Sequence, residues 1–214
     1  MKLYVYDHCP FCVKARSIFG LKRIPFELVI MLNDDEATPS RMIGKKMAPI
    51  LEHDGRFIPE SMDIVAHIDA MTNDAVLVGP RNPRIAQWID DATSALYPLA
   101  MPRWAASGMT EFATPQARAT FTRNKEAIIG SFADNLAKSG DYIAYLDKHL
   151  QSLDKLIQSP DAVNGVLSED DIHLFACLRA LSIVRGITYP TAVSAYRMRM
   201  AARTGVDLHD ESAA

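Results

Sequence analysis

The fold of this chain is predicted from its N-terminal segment, Lys2-Leu3-Tyr4-Val5-Tyr6-Asp7-His8-Cys9-Pro10-Phe11-Cys12. Leu3 and Val5 alternate with other residues, as the inward-facing side chains of a half-buried strand do. Pro10 is well suited to the first position of a helix. The sequence therefore predicts a strand that leads directly into a helix, with two cysteines spaced three residues apart at the junction.

The rest of residues 1–72 continues this alternation of short strands and short helices. The first helix is expected to end at Gly20, Phe26 to Met31 predicts a second, largely buried strand, and a short helix follows Thr38-Pro39. Asp54-Gly55 favours a tight hairpin between two further strands, and Ser61 is expected to cap a final helix. This βαβαββα order is typical of an α/β thioredoxin-like domain.

Strand patterns stop beyond the turn-forming segment 73–83, which is interpreted as a linker. Residues 84–214 predict an all-helical domain, with helices near 84–105, 115–137, 142–157, 169–184 and 191–203. Pro98 and Pro102 are expected to kink or break the first of these helices. Ser168 and Asp171 form a capping box at the start of a later one.

Composition excludes several classes of function. The 214 residues are 49% hydrophobic and 23% charged, and the formal net charge is -3, which offers no broad positive field for nucleic acid or an anionic membrane. Asp7 interrupts the N-terminal apolar stretch too early for a signal peptide, and no apolar run approaches the ~18 residues of a membrane span. Three cysteines are too few for a secreted disulfide framework. We therefore expect a cytoplasmic protein with small soluble partners.

The cysteine pair carries the expected chemistry. Cys9 lies at a helix N-terminus, where the unpaired amides and the helix dipole favour a thiolate, so Cys9 is the expected nucleophile. Cys12 lies one turn further on nearly the same face and is the expected resolving thiol. A pair of inert core cysteines and a zinc site are the alternatives. Zinc normally needs four ligands, and Cys177 and the histidines do not form a second half-site, so no metal is expected.

The motif Cys9-Pro10-Phe11-Cys12 after a short strand resembles that of glutaredoxins. Nearly the whole chain resembles the two-domain bacterial glutaredoxins of the glutaredoxin 2 type, and Tyr6 to Pro10, Pro59 to Val65 and Asn164 to Ile172 carry the resemblance. It implies a glutathione-transferase-like architecture and glutathione as co-substrate. It also implies protein partners that are glutathionylated or contain disulfides. The sequence departs from many small glutaredoxins at His8, because they keep a basic residue close to the motif.

The resemblance also implies a glutathione site. It implies that Pro49 follows a cis peptide bond and that the backbone of Ala48 pairs with glutathione. The Ser61 hydroxyl and the amides of its helix form an anion site suited to the γ-glutamyl carboxylate, and Glu60 is placed to hold the ammonium group. Cys9 and Phe11 are the other residues of the implied glutathione site.

Two other functions remain open at this point. A tyrosine that ends the first strand activates the thiol in many glutathione transferases, and Tyr6 keeps that alternative open. A glutathione-binding protein without catalysis is the second alternative. Cys177 lies in an apolar helical stretch and is expected to be an inert core residue. A monomer is expected, because the helical domain is large enough to cover one face of the redox domain.

Overall fold

A four-stranded mixed sheet forms the first part of the chain in the computed structural model, which describes all 214 residues. Its strands are β1 (Lys2–Val5), β2 (Glu27–Ile30), β3 (Ile50–His53) and β4 (Arg56–Pro59), in the spatial order β2-β1-β3-β4. β1 pairs in parallel with β2, and the other pairs are antiparallel. The helices are α1 (Pro10–Lys22), α2 (Ala37–Ile43) and α3 (Ser61–Asp69). The predicted thioredoxin-like fold is confirmed.

The remaining chain contains no strand of this sheet and forms a helical domain. Its helices are α4 (Pro83–Ala106), α5 (Pro115–Ile129), α6 (Phe132–Ala137), α7 (Ser139–Asp154), α8 (Glu169–Leu181) and α9 (Thr191–Thr204). Two 3-10 turns, Thr110–Phe112 and Asp210–Ser212, accompany them. None of the helices combines the length and the apolar character needed to cross a membrane.

The hydrophobic cores of the two domains interlock at α1 and α8. Val13 of α1 belongs to the core of the helical domain, together with buried residues such as Trp104 and Phe175. Ile172 of α8 belongs instead to the core of the thioredoxin-like domain, together with Leu3 and other residues beneath the sheet. Each domain therefore completes the other's packing, and the start of α1 is held between them.

Two predictions for the first domain are wrong. Strand β2 is not largely buried: Leu28 is 38% exposed, because β2 lies at the sheet edge and pairs only with β1. Helix α1 does not end at Gly20 but continues to Lys22, and Arg23 then adopts a left-handed conformation. The glycine serves packing instead, since a Cβ there would lie 1.9 Å from the carbonyl oxygen of Thr204.

Two expectations for helices of the second domain are wrong. Pro98 and Pro102 do not break the first helix, which is continuous from Pro83 to Ala106, because both prolines are buried and the packing of neighbours such as Leu99 outweighs the lost backbone bonds. The helix predicted over 115–137 is divided at Gly130, whose φ of 80° is incompatible with a continuous helix.

The predicted capping box at the start of α8 is present. The Asp171 carboxylate accepts a hydrogen bond from the Ser168 amide at 2.9 Å, and its other oxygen accepts from the Val163 amide at 2.7 Å. The buried hydroxyl of Tyr196 donates to the same carboxylate at 2.9 Å. One carboxylate thus joins the start of α8 to the preceding loop and to α9.

We predict that Asp171→Ala lowers the free energy of unfolding by about 3 kcal/mol, because it leaves several buried donors without an acceptor. Denaturant unfolding monitored by circular dichroism measures the change. The matched control is Asp134→Ala in the first turn of α6, whose side chain is exposed, with an expected change below about 0.5 kcal/mol. Equal effects of the two substitutions would contradict the structural role of Asp171.

Candidate active site

The two cysteines of the motif lie at the junction between β1 and α1, as predicted. Cys9 occupies the N-cap position of α1 in an extended conformation, with φ -72° and ψ 120°. Its amide donates to the carbonyl oxygen of Tyr6 at 3.3 Å. Cys9 is half-buried, whereas Cys12 is completely buried, and both are free thiols.

The environment makes the two thiols unequal. A hydrogen bond from the Cys12 thiol is the main cause that lowers the pKa of Cys9 to about 6. Burial opposes this shift, while the charge of His8 and the amides of Phe11 and Cys12 contribute to it. Burial raises the pKa of Cys12, and its hydrogen bond to Cys9 adds to the rise. At neutral pH the pair therefore consists of a Cys9 thiolate and a protonated Cys12.

We predict that the rate of Cys9 alkylation by iodoacetamide rises with pH with a midpoint of about 6, because only the thiolate reacts. Cys12→Ala removes the principal hydrogen bond, so the midpoint should move to higher pH. Mass spectrometry of the peptide that contains Cys9 measures the rate in both proteins. Cys177→Ser is the control and should leave the midpoint unchanged. An unchanged midpoint in Cys12→Ala would show that Cys12 does not stabilise the thiolate.

The strand register brings the other predicted site segments to the same end of the sheet as Cys9. Tyr4 pairs with Ile50, and Ile50 pairs with Pro59. β1 ends, β3 begins and β4 ends at this edge, because both strand pairs are antiparallel. The segments that continue from these strands are Tyr6 to Cys12, Ala48-Pro49 and Glu60-Ser61. Every residue predicted for the site lies on one of them.

The peptide bond between Ala48 and Pro49 is cis, as the family resemblance implies. Neither the amide nor the carbonyl group of Ala48 forms a hydrogen bond within the protein. Both groups are therefore available to a ligand at the edge of the sheet.

Helix α3 begins one residue earlier than predicted. Ser61 is the first helical residue rather than the N-cap, because the carbonyl oxygen of Glu60 already accepts the first helical hydrogen bond, from Ile64 at 3.1 Å. No side chain caps this helix, and the Ser61 hydroxyl has no partner within the protein. Glu60 has a φ of 67°, a strained conformation that is concentrated at functional sites. The start of α3 therefore has unused donors.

The thioredoxin-like domain and the helical domain each match a known family. Residues 84–213 match the family described as "Glutaredoxin 2, C terminal domain", and residues 3–75 match "Glutathione S-transferase, N-terminal domain". Glutaredoxin 2 of Escherichia coli strain K12 is 51% identical to this chain over 209 residues, which cover 97% of both chains. The chain belongs to the glutaredoxin 2 family.

Solved structures agree with this membership. The crystal structure of glutaredoxin 2 from Salmonella typhimurium in complex with glutathione is 53% identical, with a TM-score of 0.98, and the match covers 100% of this chain and 98% of that one. A glutathione S-transferase of Ceriporiopsis subvermispora is 17% identical with a TM-score of 0.69, over 95% of this chain and 96% of that one. The second likeness concerns the fold alone. The predicted glutathione-transferase-like architecture is confirmed.

In this member of the glutaredoxin 2 family, buried charges fix the segment before Cys9 to the helical domain. Arg179 of α8 donates to both carboxylate oxygens of Asp7 at 3.0 Å and also to its carbonyl oxygen. Arg16 of α1 lies 2.5 Å from the same carboxylate. Burial alone would raise the pKa of Asp7, but the charges of Arg179 and Arg16 lower it to about 2. Sequence reasoning missed this anchor, because no local pattern connects residues so far apart in the chain.

A second missed anchor involves His8. Its ring Nδ1 lies 2.8 Å from Oε1 of Glu111, and its backbone amide donates to the same oxygen at 2.8 Å. Glu111 belongs to the 3-10 turn between α4 and α5 and is completely buried. Its backbone carbonyl oxygen also accepts a hydrogen bond from the Asn33 amide at 2.9 Å. The only sequence feature that pointed to this contact was the position of His8 directly before the motif Cys9-Pro10-Phe11-Cys12.

The cleft beside Phe11 is small. A cavity of about 50 Å³ lies between α1 and the helical domain, with Phe11, Lys14, Tyr97 and Cys177 among its lining residues. Phe11 is 52% exposed, whereas Cys177 is buried, and burial raises the pKa of Cys177 to about 12. Cys177 therefore remains a thiol at neutral pH. No group of three or more His, Cys, Asp or Glu side chains is arranged to hold a metal ion.

Proposed function

We propose that this chain is a glutathione-dependent thiol-disulfide oxidoreductase in which Cys9 is the nucleophile and Cys12 the resolving thiol. The observation that carries the proposal is the inequality of the two thiols. Cys9 is accessible at the start of α1 and has a lowered pKa, whereas Cys12 is buried and has a raised pKa. Membership of the glutaredoxin 2 family supports the same activity.

Glutathione mixed disulfides require only Cys9. Its thiolate attacks the glutathionyl sulfur and forms a Cys9-glutathione disulfide, while the substrate sulfur leaves with the electron pair of the broken bond and takes a proton from water. The thiolate of a second glutathione then attacks the glutathionyl sulfur of this adduct. Oxidised glutathione leaves, and the Cys9 thiolate is restored. The substrate gains two electrons, and the two glutathione sulfurs end as one disulfide.

Protein disulfides require both cysteines. Cys9 attacks one sulfur and forms a mixed disulfide with the substrate, whose second sulfur leaves as a thiolate. Cys12, one helical turn away, gives its proton to water and attacks the Cys9 sulfur of the mixed disulfide, and the remaining substrate sulfur leaves as a thiolate. The resulting Cys9–Cys12 disulfide is reduced by two glutathione molecules, which form oxidised glutathione.

Glutathione is proposed to bind along the sheet edge next to Cys9. The free amide and carbonyl groups of Ala48, preceding Pro49, pair with the backbone of its cysteinyl residue, as in a short antiparallel strand. The Ser61 hydroxyl and the first amides of α3 bind the γ-glutamyl carboxylate, and Glu60 holds the ammonium group. Phe11 covers the part of the bound glutathione that carries its thiol. The Salmonella typhimurium relative was crystallised in complex with glutathione, which supports glutathione as the ligand.

The roles of the cysteines are tested with Cys9→Ser and Cys12→Ser. We predict that Cys9→Ser loses glutathione-dependent reduction of both a small glutathione mixed disulfide and a protein disulfide. Cys12→Ser should retain the first activity and lose the second. A coupled assay that follows oxidised glutathione measures both. Activity in Cys9→Ser, or an inactive wild-type protein, would overturn the proposal.

The glutathione site is tested with Ser61→Ala. The substitution removes a charge-assisted hydrogen bond, so we predict a KM for glutathione about tenfold higher. The alkylation midpoint of Cys9 should not move, because Ser61 does not contribute to its pKa. Ser94→Ala, on an exposed position of α4, is the matched control and should leave both quantities unchanged. An unaltered KM in Ser61→Ala would place the γ-glutamyl carboxylate elsewhere.

The structure does not favour a transferase. The cavity of about 50 Å³ beside Phe11 is far smaller than the ~300 Å³ or more of typical small-molecule sites, so it offers an electrophile little room. The Tyr6 hydroxyl is buried without a hydrogen-bond partner, and burial raises its pKa. Conjugating activity that survives Cys9→Ser would favour the transferase, and glutathione binding without turnover would favour a binding protein.

We also propose that residues 1–72 and 84–214 form two domains joined by the linker 73–83, and that the chain acts as a monomer in the cytoplasm. The helix-free interval between Asp69 and Pro83 supports the division. The helical domain already covers one side of α1, which supports the monomer. Light scattering of the purified protein tests the oligomeric state, and a dimer mass would contradict it.

A further inference from the structure

Glu111 is a buried carboxylate with few partners. Its Oε1 atom receives both hydrogen bonds from His8, and its Oε2 atom has no partner at all. Burial alone would raise the pKa of Glu111, but the hydrogen bonds and charge of His8 lower it below the ordinary value. An ionised carboxylate with no exposed surface requires a neighbouring positive charge.

His8 is the group placed to supply that charge. Its ring centroid lies 5.1 Å from Trp104, 5.0 Å from Phe112 and 5.1 Å from Phe121. These separations are within the ~6 Å over which aromatic rings attract a cation. Tyr6 stacks on the imidazole from the side of the thioredoxin-like domain, with the centroids 5.9 Å apart. Inside this aromatic environment, Glu111 is the carboxylate that contacts the imidazole, 2.8 Å from its Nδ1.

The other ionisable groups around His8 do not replace it. Arg179 of α8 is already paired with Asp7, which also contacts Arg16 of α1. Burial lowers the pKa of His209 to about 4, so this residue of the C-terminal segment is uncharged at neutral pH. The Tyr6 hydroxyl is neutral as well, because burial raises its pKa.

Two of the groups near Cys9, Tyr97 and Cys12, are uncharged, and Lys14 and His8 are the basic ones. Cys12 is a protonated thiol, and burial raises the pKa of Tyr97 to about 12, so neither carries a charge at neutral pH. Lys14 interacts with the charge of Cys9 and lies over the ring of Phe11, with its Nζ 4.8 Å from the ring centroid, whereas it has no contact with Glu111. His8 directly precedes Cys9 in the chain, and both its backbone and its ring are fixed by Glu111.

We propose that Glu111 is a positioning residue that holds His8 as an imidazolium next to Cys9, so that the helical domain stabilises the attacking thiolate. The inference rests on the proposed function, because it assigns Glu111 a role through the Cys9 nucleophile. It gives the second domain a part in the chemistry besides packing. Glu111 touches neither Cys9 nor a substrate and acts only through His8.

The test is Glu111→Gln, which keeps the shape and an acceptor oxygen but removes the charge. If Glu111 maintains the imidazolium, the substitution leaves His8 neutral, and the alkylation midpoint of Cys9 rises. At pH 6 the alkylation rate should fall about fivefold, which corresponds to a midpoint higher by about one pH unit. If His8 stayed charged without Glu111, removal of a negative charge would lower the midpoint instead. A lower or unchanged midpoint overturns the proposal.

Asp7→Asn is the matched control. It weakens the neighbouring contact between the domains through Arg179 and also removes a negative charge near Cys9, so it should not raise the midpoint. A rise equal to that of Glu111→Gln would show that loosening of the domain junction is the cause, and would overturn the proposal. The double variant His8→Gln/Glu111→Gln should raise the midpoint no further than His8→Gln alone, because the two residues act as one unit.

A measurement on the unaltered protein keeps the inference testable if Glu111→Gln fails to fold. Nitrogen NMR of the His8 ring at neutral pH should show both ring nitrogens protonated, and a neutral tautomer would overturn the proposal. The activity of Cys9→Ser distinguishes a failure of the proposed function from a failure of the role assigned to Glu111. If Cys9→Ser is active, the proposed function fails. If it is inactive and the Glu111→Gln midpoint does not rise, only the role of Glu111 fails.

Discussion

The chemistry of this protein depends on a half-buried Cys9 and a completely buried Cys12 that share the first turn of α1. Burial keeps the Cys12 thiol protonated, and a protonated thiol is a donor that stabilises a thiolate one turn away. Burial also opposes the lowered pKa of Cys9, but the other causes outweigh it. Cys9 lies at the N-cap and is only half-buried, whereas Cys12 lies in the core. The strand that ends at Val5 and the helix that begins at Pro10 fix this difference.

The helical domain holds that junction in place. Val13 of α1 packs into the helical core, while Ile172 of α8 packs beneath the sheet, so the two domains cannot separate without exposing apolar surface on both sides. The buried contacts Asp7–Arg179 and His8–Glu111 fasten the two residues immediately before Cys9. Such pairs contribute more to geometry than to net stability, because both partners lose their hydration. The two pairs act mainly by fixing the backbone that leads into Cys9.

Local sequence patterns predicted the parts of this account that depend on neighbouring residues. The strand-to-helix junction, the hairpin at Asp54-Gly55 and the capping box of Ser168 and Asp171 all depend on residues a few positions apart, and the structure contains them. The family resemblance added the cis bond before Pro49, which no local pattern indicates. Predictions failed where tertiary packing decides, as in the continuous helix through Pro98. The partners of Asp7 and His8 in the helical domain, Arg179 and Glu111, were beyond reach for the same reason, since each lies more than 100 residues away.

The central claim is that Cys9 alone makes the first bond with substrate. Its most direct test is a single turnover of the Cys12→Ser protein with a glutathionylated peptide and no free glutathione, followed by peptide mass spectrometry. We expect one glutathione attached to Cys9 and none on Cys177, because the buried Cys177 remains a thiol. Glutathione on Cys177, or release of the reduced peptide without any adduct at Cys9, would contradict it.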